Sequence, residues 1–365
     1  MVSSFGNKFR ITVFGESHGT GIGVVIDGLP PGEAIDLQEL NRFMVRRAPG
    51  QRGTTPRKEK DSPEVLSGFV DGKTTGSAMT MLIRNRDHRS EDYDLEIPRP
   101  SHADLNVFDK FGGHMDMRGS GPFSGRLTAP LCLAGGIAKQ ILARRGIYVG
   151  AHLAQIGSIL DETWDLADVT AAELQAIGEK NFPTISEEAA HRMLDFLDGL
   201  KEEGDSIGGR IHCMAIGVPQ GLGEPNYMDF ESHLAHLLFA VPGMRGVAFG
   251  RGFEAVTMRG SEHNDPIVPD GAGGYKTVTN NAGGIVGGIT NGMPISFEAA
   301  MKPAASIGKS QESVSLKTGE KAELNVVGRH DPSIAVRAVP VIEAALAIVI
   351  LDFMEDYYGS GKLEK

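Results

Sequence analysis

The stretch Phe9-Arg-Ile-Thr-Val-Phe14-Gly-Glu-Ser-His18-Gly-Thr-Gly-Ile-Gly23-Val-Val-Ile-Asp27 holds two short apolar runs around a glycine-rich turn. Phe9 to Phe14 and Gly23 to Asp27 are rich in β-branched residues and bounded by glycine, so both read as strands. The turn between them carries Ser17 and His18 at a strand end. A histidine there can serve as a proton donor near neutral pH, although a plain surface histidine would look the same in isolation. Strand is followed by helix: Asp36 reads as an N-cap with Glu39 three residues on, a capping-box spacing, and the helix reaches about Arg47 before Pro49-Gly50.

The alternation continues along the chain. Strands are expected near Val65 to Val70 and Ala78 to Ile83. Helices are expected at Thr128 to Arg145, stopped by Gly146, from Ser186 to about Glu203, and from Asp229 to Phe239. Ile211 to Val218 reads as a strand, and Val336 to about Tyr357 as a last helix. Arg84 to Gly121 reads as one long loop crowded with Asp, Arg, His and Gly, a length that is usually functional. With no linker composition anywhere, residues 1–365 are expected to form one α/β (α+β) domain of layered sheets and helices.

Composition narrows the function classes. A net charge of −11 argues against nonspecific nucleic-acid binding, which relies on phosphate neutralisation. Yet seven basic residues against Glu59 alone give the stretch from Arg42 to Lys60 a local charge of +6, able to focus a small polyanion. No signal peptide is expected at the start. The most apolar run, Val339 to Met354, contains Glu343 and Asp352 and falls short of the roughly 20 residues of a membrane span, so it reads as a buried helix. Two distant cysteines, Cys132 and Cys213, fit a reducing cytoplasm better than a disulfide framework. The 48 glycines among 365 residues, about 13% against an average near 7%, gather in loops where backbone N–H groups can approach a ligand.

Several loops hold chemistry-bearing residues. In Arg99-Pro-Ser-His-Ala-Asp104, an acid stands two residues from His102 and could orient it. Gly119-Ser-Gly-Pro-Phe-Ser-Gly-Arg126 precedes a helix and suits an anion, but Ser124 stands where the third glycine of a dinucleotide fingerprint belongs. Gly308-Lys309-Ser310 ends like a P-loop, but Pro303 occupies the first glycine position, which removes that reading and with it a phosphotransferase. Lys302 and Arg329 could neutralise phosphate, and Asp331 could act as a base, cap a helix or pair with His330. His233 and His236 share a helix face but lack companion ligands, so no metal site is expected.

Nine segments in order resemble the chorismate synthase family. They are Phe14-Gly-Glu-Ser-His-Gly19, Arg46-Arg47 with Pro49-Gly50, Arg89-Ser-Glu-Asp-Tyr93, Arg99-Pro-Ser-His-Ala-Asp104, Gly204-Asp-Ser-Ile-Gly-Gly209, Gly221-Leu-Gly-Glu-Pro225, Asn281-Ala-Gly-Gly-Ile285, Lys302-Pro303 and Gly328-Arg-His-Asp-Pro332. The resemblance implies a β-α-β sandwich, a cytoplasmic homotetramer, and a lyase using reduced FMN for 1,4-anti elimination of phosphate from 5-enolpyruvylshikimate 3-phosphate. It leaves NADPH open as the flavin's reductant. By the same resemblance, His18 protonates the departing phosphate, His102 acts at the flavin N1 edge, and Asp331 helps N5 take up the C6 proton. Ser17 and Ser124 support these steps. Arg47 and Arg52 are substrate or nucleotide contacts. Ser124, Gly287, Lys302, Pro303, Ala304, Ala305, Ser306 and Arg329 belong to the FMN set. Pro122 and Phe123 replace the arginine and serine common in the family, which makes a non-catalytic flavin- or phosphate-binding relative the alternative; the presence of His18, His102 and Asp331 argues against it.

Overall fold

The computed structural model describes residues 3–55, 61–86, 96–326 and 330–358. Two antiparallel five-stranded sheets enclose a helical layer. The first sheet runs in the order Ser4–Phe5, Arg10–Gly15, Gly21–Asp27, Met79–Arg84, Glu64–Ser67. The second runs Met244–Phe249, Ile295–Met301, Gly209–Ile216, Tyr148–Ile156, Ile159–Leu160. Helix Thr128–Arg144 packs on the first sheet, helix Ala335–Tyr358 packs on the second, and the two helices pack on each other, with Leu37–Arg47 against both. This is the sheet–helix–sheet sandwich that the resemblance implied.

A helix in the middle layer has no face left for water. Val336 to Ile350 is accordingly apolar except for Arg337, Pro340 and Glu343, and nearly all of it is buried. Gly135 lets the two central helices approach: a Cβ there would lie 2.4 Å from the Cα of Ala344. Burying Glu343 demands partners, and Arg46 and Lys139 from the other two helices supply them. Asp352 accepts the backbone N–H groups of Asn7, Lys8 and Phe9 and pairs with Nε2 of His233 at 3.1 Å, tying the first sheet's entry to the last helix.

The expected elements are present with shifted ends, and three differences have physical causes. Asp36 caps its helix through Gln38 and Glu39, but its own N–H goes to Gln140 instead of Glu39, so the box is half formed. The 84–121 loop contains helix Asp104–Phe111, which starts at Ala103 with no side-chain cap and so lacks a start signal. Tyr148–Ile156 lies next to the short edge strand and is buried along nearly its whole length; it has no period-two alternation to betray it.

Candidate active site

Both central helices begin at the same end of the sandwich, where the turns after the strands converge. The cavity they border has a volume of about 820 Å³ and collects Ser17, His18, Arg47, His102, Ser124, Lys302 to Ser306 and Asp331. Residues separated by more than 300 positions thus meet in one place.

His18 comes from the turn between strands Arg10–Gly15 and Gly21–Asp27 and is only 5% exposed. The Ser17 N–H donates to the carbonyl of Gly121 at 3.2 Å, fastening this turn to the 119–125 loop. His18 needs a glycine beside it: Gly119 lies at φ +59°, and a Cβ there would sit 2.3 Å from Nε2 of His18. Ser120, next to it, adopts φ 75°, a strained value for a residue with a side chain. Its Oγ accepts from Nη2 of Arg99 at 2.9 Å.

His102 is held through Nδ1, 2.6 Å from Oδ1 of Asp104. Arg99 binds the same carboxylate with Nε at 2.7 Å and Nη2 at 2.8 Å, and reaches Oγ of Ser306 with Nη1 at 3.0 Å. Burial works against the Asp104 charge, but the bonds from His102 and Arg99 prevail and hold its carboxyl far below the usual range. An ionised carboxylate only accepts, so the proton lies on Nδ1 of His102. Nε2 is left to exchange a proton with a ligand.

Arg47 is buried. Its Nη1 pairs with Asp61 at 2.6 Å, Nε donates to Oγ1 of Thr128 at 3.1 Å, and Nη2 donates to the carbonyl of Gly125 at 2.9 Å. Arg126 shares Asp61. Burial would raise the Asp61 pKa, but the two guanidinium groups keep it low. Asp331 faces Arg337, with Oδ2 accepting from Nε at 2.9 Å and Nη2 at 2.7 Å, while Oδ1 accepts the Thr55 N–H at 2.8 Å. It therefore pairs with Arg337; its neighbour His330 lines the same cavity. Nζ of Lys302 donates to the Ser101 carbonyl at 2.9 Å. Ser124 caps the short turn after it by accepting from the Arg126 N–H at 3.3 Å.

The remaining wall is apolar: Val241, Pro242, Met244, Met301, Ile334 and Val341. A flat heteroaromatic ring with an anionic tail fits such a cavity, since its lining combines aliphatic surface with cationic and hydroxyl donors. Gly243 supports the same reading. It lies at φ +90°, and a Cβ there would be 2.3 Å from Cδ1 of Ile334, so only glycine keeps this wall in place.

Two expected residues lie elsewhere. Arg52 is on the surface, 3.4 Å from Asp195 and 3.2 Å from Asp198 of helix Glu187–Glu202. Gly287 sits, exposed, in the turn of the hairpin Ile285–Val286 and Ile289–Thr290. Arg329 and the Arg89–Tyr93 motif lie outside the described residues. Among the described residues of the basic island, Arg46 pairs with Glu343, Arg47 with Asp61 and Arg52 with Asp195 and Asp198. Arg99, Ser120, Pro242, Gly243, Arg245 and Arg337 also line the cavity and had no assigned role. Arg99 stood within a quoted motif and was the one most open to discovery. A second cavity, about 670 Å³, lies on the second sheet near Trp164, His212 and Arg251 and contains none of the expected site residues.

The chorismate synthase family model matches residues 9–354. Chorismate synthase of Chitinophaga pinensis is 43% identical over 355 residues, covering 97% of this chain and 96% of its own length. That of Gloeothece citriformis is 43% identical over 368 residues, covering 99% of each chain, and that of Methanosarcina barkeri 42% over 354, covering 96% and 95%. A crystal structure of chorismate synthase superposes with a TM-score of 0.78 at 28% identity, over 97% of this chain and 94% of that one. The match in sequence over almost the whole length, and in fold, establishes that the chain belongs to the chorismate synthase family and is a lyase of that kind.

Proposed function

We propose that the 820 Å³ cavity binds reduced FMN together with 5-enolpyruvylshikimate 3-phosphate and catalyses 1,4-anti elimination of phosphate to chorismate. The observation that carries this is the convergence of His18, His102 and Asp331 on one cationic pocket from three distant loops. Bound flavin supplies the electron-rich ring that eases departure of the allylic phosphate. The chain supplies the rest. His18, packed against Gly119 and next to Ser17, offers a proton to the leaving phosphate oxygen. His102, locked as the Nδ1–H form by Asp104, presents Nε2 for proton exchange at the ring edge. Asp331, oriented by Arg337 and Thr55, would assist flavin N5 in taking up the C6 proton. Lys302 to Ser306 and Ser124 hold the cofactor, and Arg47 and Arg126 line the wall for the substrate's anionic groups.

Arg52 and Gly287 retain their proposed contacts only if a neighbouring subunit or a rearranged loop brings them to a pocket. A homotetramer is supported by the exposed apolar side chains of Tyr227, Phe253, Val256, Ile267 and Tyr275, concentrated in one stretch of chain. The two buried free cysteines are consistent with a cytoplasmic setting, and residues 1–365 are taken as one domain because one apolar cluster extends from Phe9 to Met354. No helix among the described residues is long and apolar enough to cross a membrane. Anaerobic titration with FMN, with and without substrate, tests the site: flavin fluorescence should change saturably, and absence of binding under both conditions would contradict the assignment. Adding NADPH to the oxidised complex then shows whether the protein reduces its own flavin.

A further inference from the structure

Among the described residues, Asp331 on the cavity lining and the carboxylates Asp61 and Asp104, which pair with lining residues, are already committed. Asp61 is shared by Arg47 and Arg126, Asp104 by Arg99 and His102, and Asp331 is held by Arg337 and the Thr55 amide. Two cations on the lining have no such partner. Lys302 has the Ser101 carbonyl, and Arg245 forms neither an ion pair nor a hydrogen bond among the described residues.

The backbone brings these two together by a specific device. Strand Met244–Phe249 pairs with Ile295–Met301, but the register slips between Met244, opposite Met301, and Gly246, opposite Ala300. Arg245 is the extra residue of that bulge, and bulges re-aim a side chain beside a site. Lys302 follows Met301 directly, and its N–H donates to the Gly243 carbonyl at 2.9 Å. The two cations therefore flank the same Met244–Met301 pair. Burial, and then the nearby Arg245 charge, lower the Lys302 pKa. Like charges across a strand pair destabilise the sheet unless something compensates them. Among the described residues no carboxylate pairs with either of them, and both line the cavity.

We infer that Arg245 and Lys302 form a two-pronged subsite for a phosphate monoester dianion, making Arg245 a binding residue of the reaction. The inference rests on the function proposed above. Both the flavin's 5′-phosphate and the substrate's 3-phosphate have this chemistry, and a planar guanidinium beside an ammonium suits either.

The test compares the full-length wild type with Arg245→Gln and Arg245→Lys, titrated anaerobically with FMN and with riboflavin, which lacks the phosphate. A parallel series measures the KM for 5-enolpyruvylshikimate 3-phosphate. If the subsite holds the flavin phosphate, Arg245→Gln weakens FMN about tenfold or more, leaves riboflavin unchanged, and Arg245→Lys recovers most of the loss. If it holds the substrate phosphate, FMN affinity stays constant and the KM rises by a similar factor. Unchanged FMN affinity and unchanged KM overturn the subsite, as does an equal loss for FMN and riboflavin; wild-type turnover in the same preparation would leave the proposed function standing. A wild type with neither flavin binding nor turnover would remove both. Arg245 is exposed, so a thermal melt matching wild type confirms that the variants fold.

Discussion

At the residue scale, the chemistry depends on how each imidazole is held. His102 has its Nδ1 tied to Asp104 at 2.6 Å, so Nε2 is the nitrogen left for proton transfer. His102→Ala is expected to lower kcat by about 10²–10⁴-fold while the melting curve is preserved; near-normal turnover would remove His102 from the mechanism. Asp104→Asn should lower kcat as well and move the acid limb of its pH profile, because the neutral amide no longer enforces the Nδ1–H form. A variant with reduced kcat but an unmoved pH profile would make Asp104 a purely structural residue. This pairing was legible in the sequence, since histidine and acid stand two positions apart. The support from Ser120 was not, because its Oγ meets Arg99 across 21 positions and depends on a strained backbone. The surroundings of Arg52 were not legible for a related reason: its basic neighbourhood suggested an anion, and in the fold Asp195 and Asp198 on a distant helix pair with it.

At the scale of elements, the site is placed by the crossing of the two central helices, both of which begin at the cavity. The crossing relies on Gly135, where a Cβ would fall 2.2 Å from the Cβ of Ala344. Gly135→Val is therefore expected to cost about 1–3 kcal/mol or more in urea unfolding, and wild-type stability in that variant would show that the helices can separate freely. Helices with strong polar starts were legible: Ser186 and Asp229 cap theirs through side-chain oxygens. Strand Tyr148–Ile156 escaped because it is buried along nearly its whole length and its apolar run has no alternation. Helix Asp104–Phe111 escaped because it has no capping side chain.

For the whole molecule, burial of polar groups sets an acid limit on stability. Burial first, and then His152 and Arg210, lower the His212 pKa to about 3 from 6.5. The unfolded chain takes up this proton as pH falls through about 6.5, whereas the folded one does not until about 3. Stability is thus complete above the unfolded value and declines below it by about 1.4 kcal/mol per pH unit for one such group. Asp61 has the same sign lower down: its pKa lies below 3.8, so its contribution is present above about pH 4 and lost as pH falls further. Between pH 7 and 5 the melting temperature of His212→Gln should fall less than that of wild type; parallel curves would exclude His212 as a source of the decline. Interleaved strands and helices were readable from composition and periodicity, but the sandwich itself came from the family resemblance, because the pairing of strands 53 to 92 positions apart leaves no local trace.

The central claim is that one chain-borne pocket unites a reduced flavin with acid and base groups to expel phosphate. The most direct measurement is an anaerobic assay of the purified full-length protein with 5-enolpyruvylshikimate 3-phosphate, following chorismate and inorganic phosphate together. Equal amounts of both, formed over many turnovers with reduced FMN and absent with oxidised FMN, are predicted. Phosphate released without chorismate, or turnover indifferent to the flavin's redox state, would contradict it.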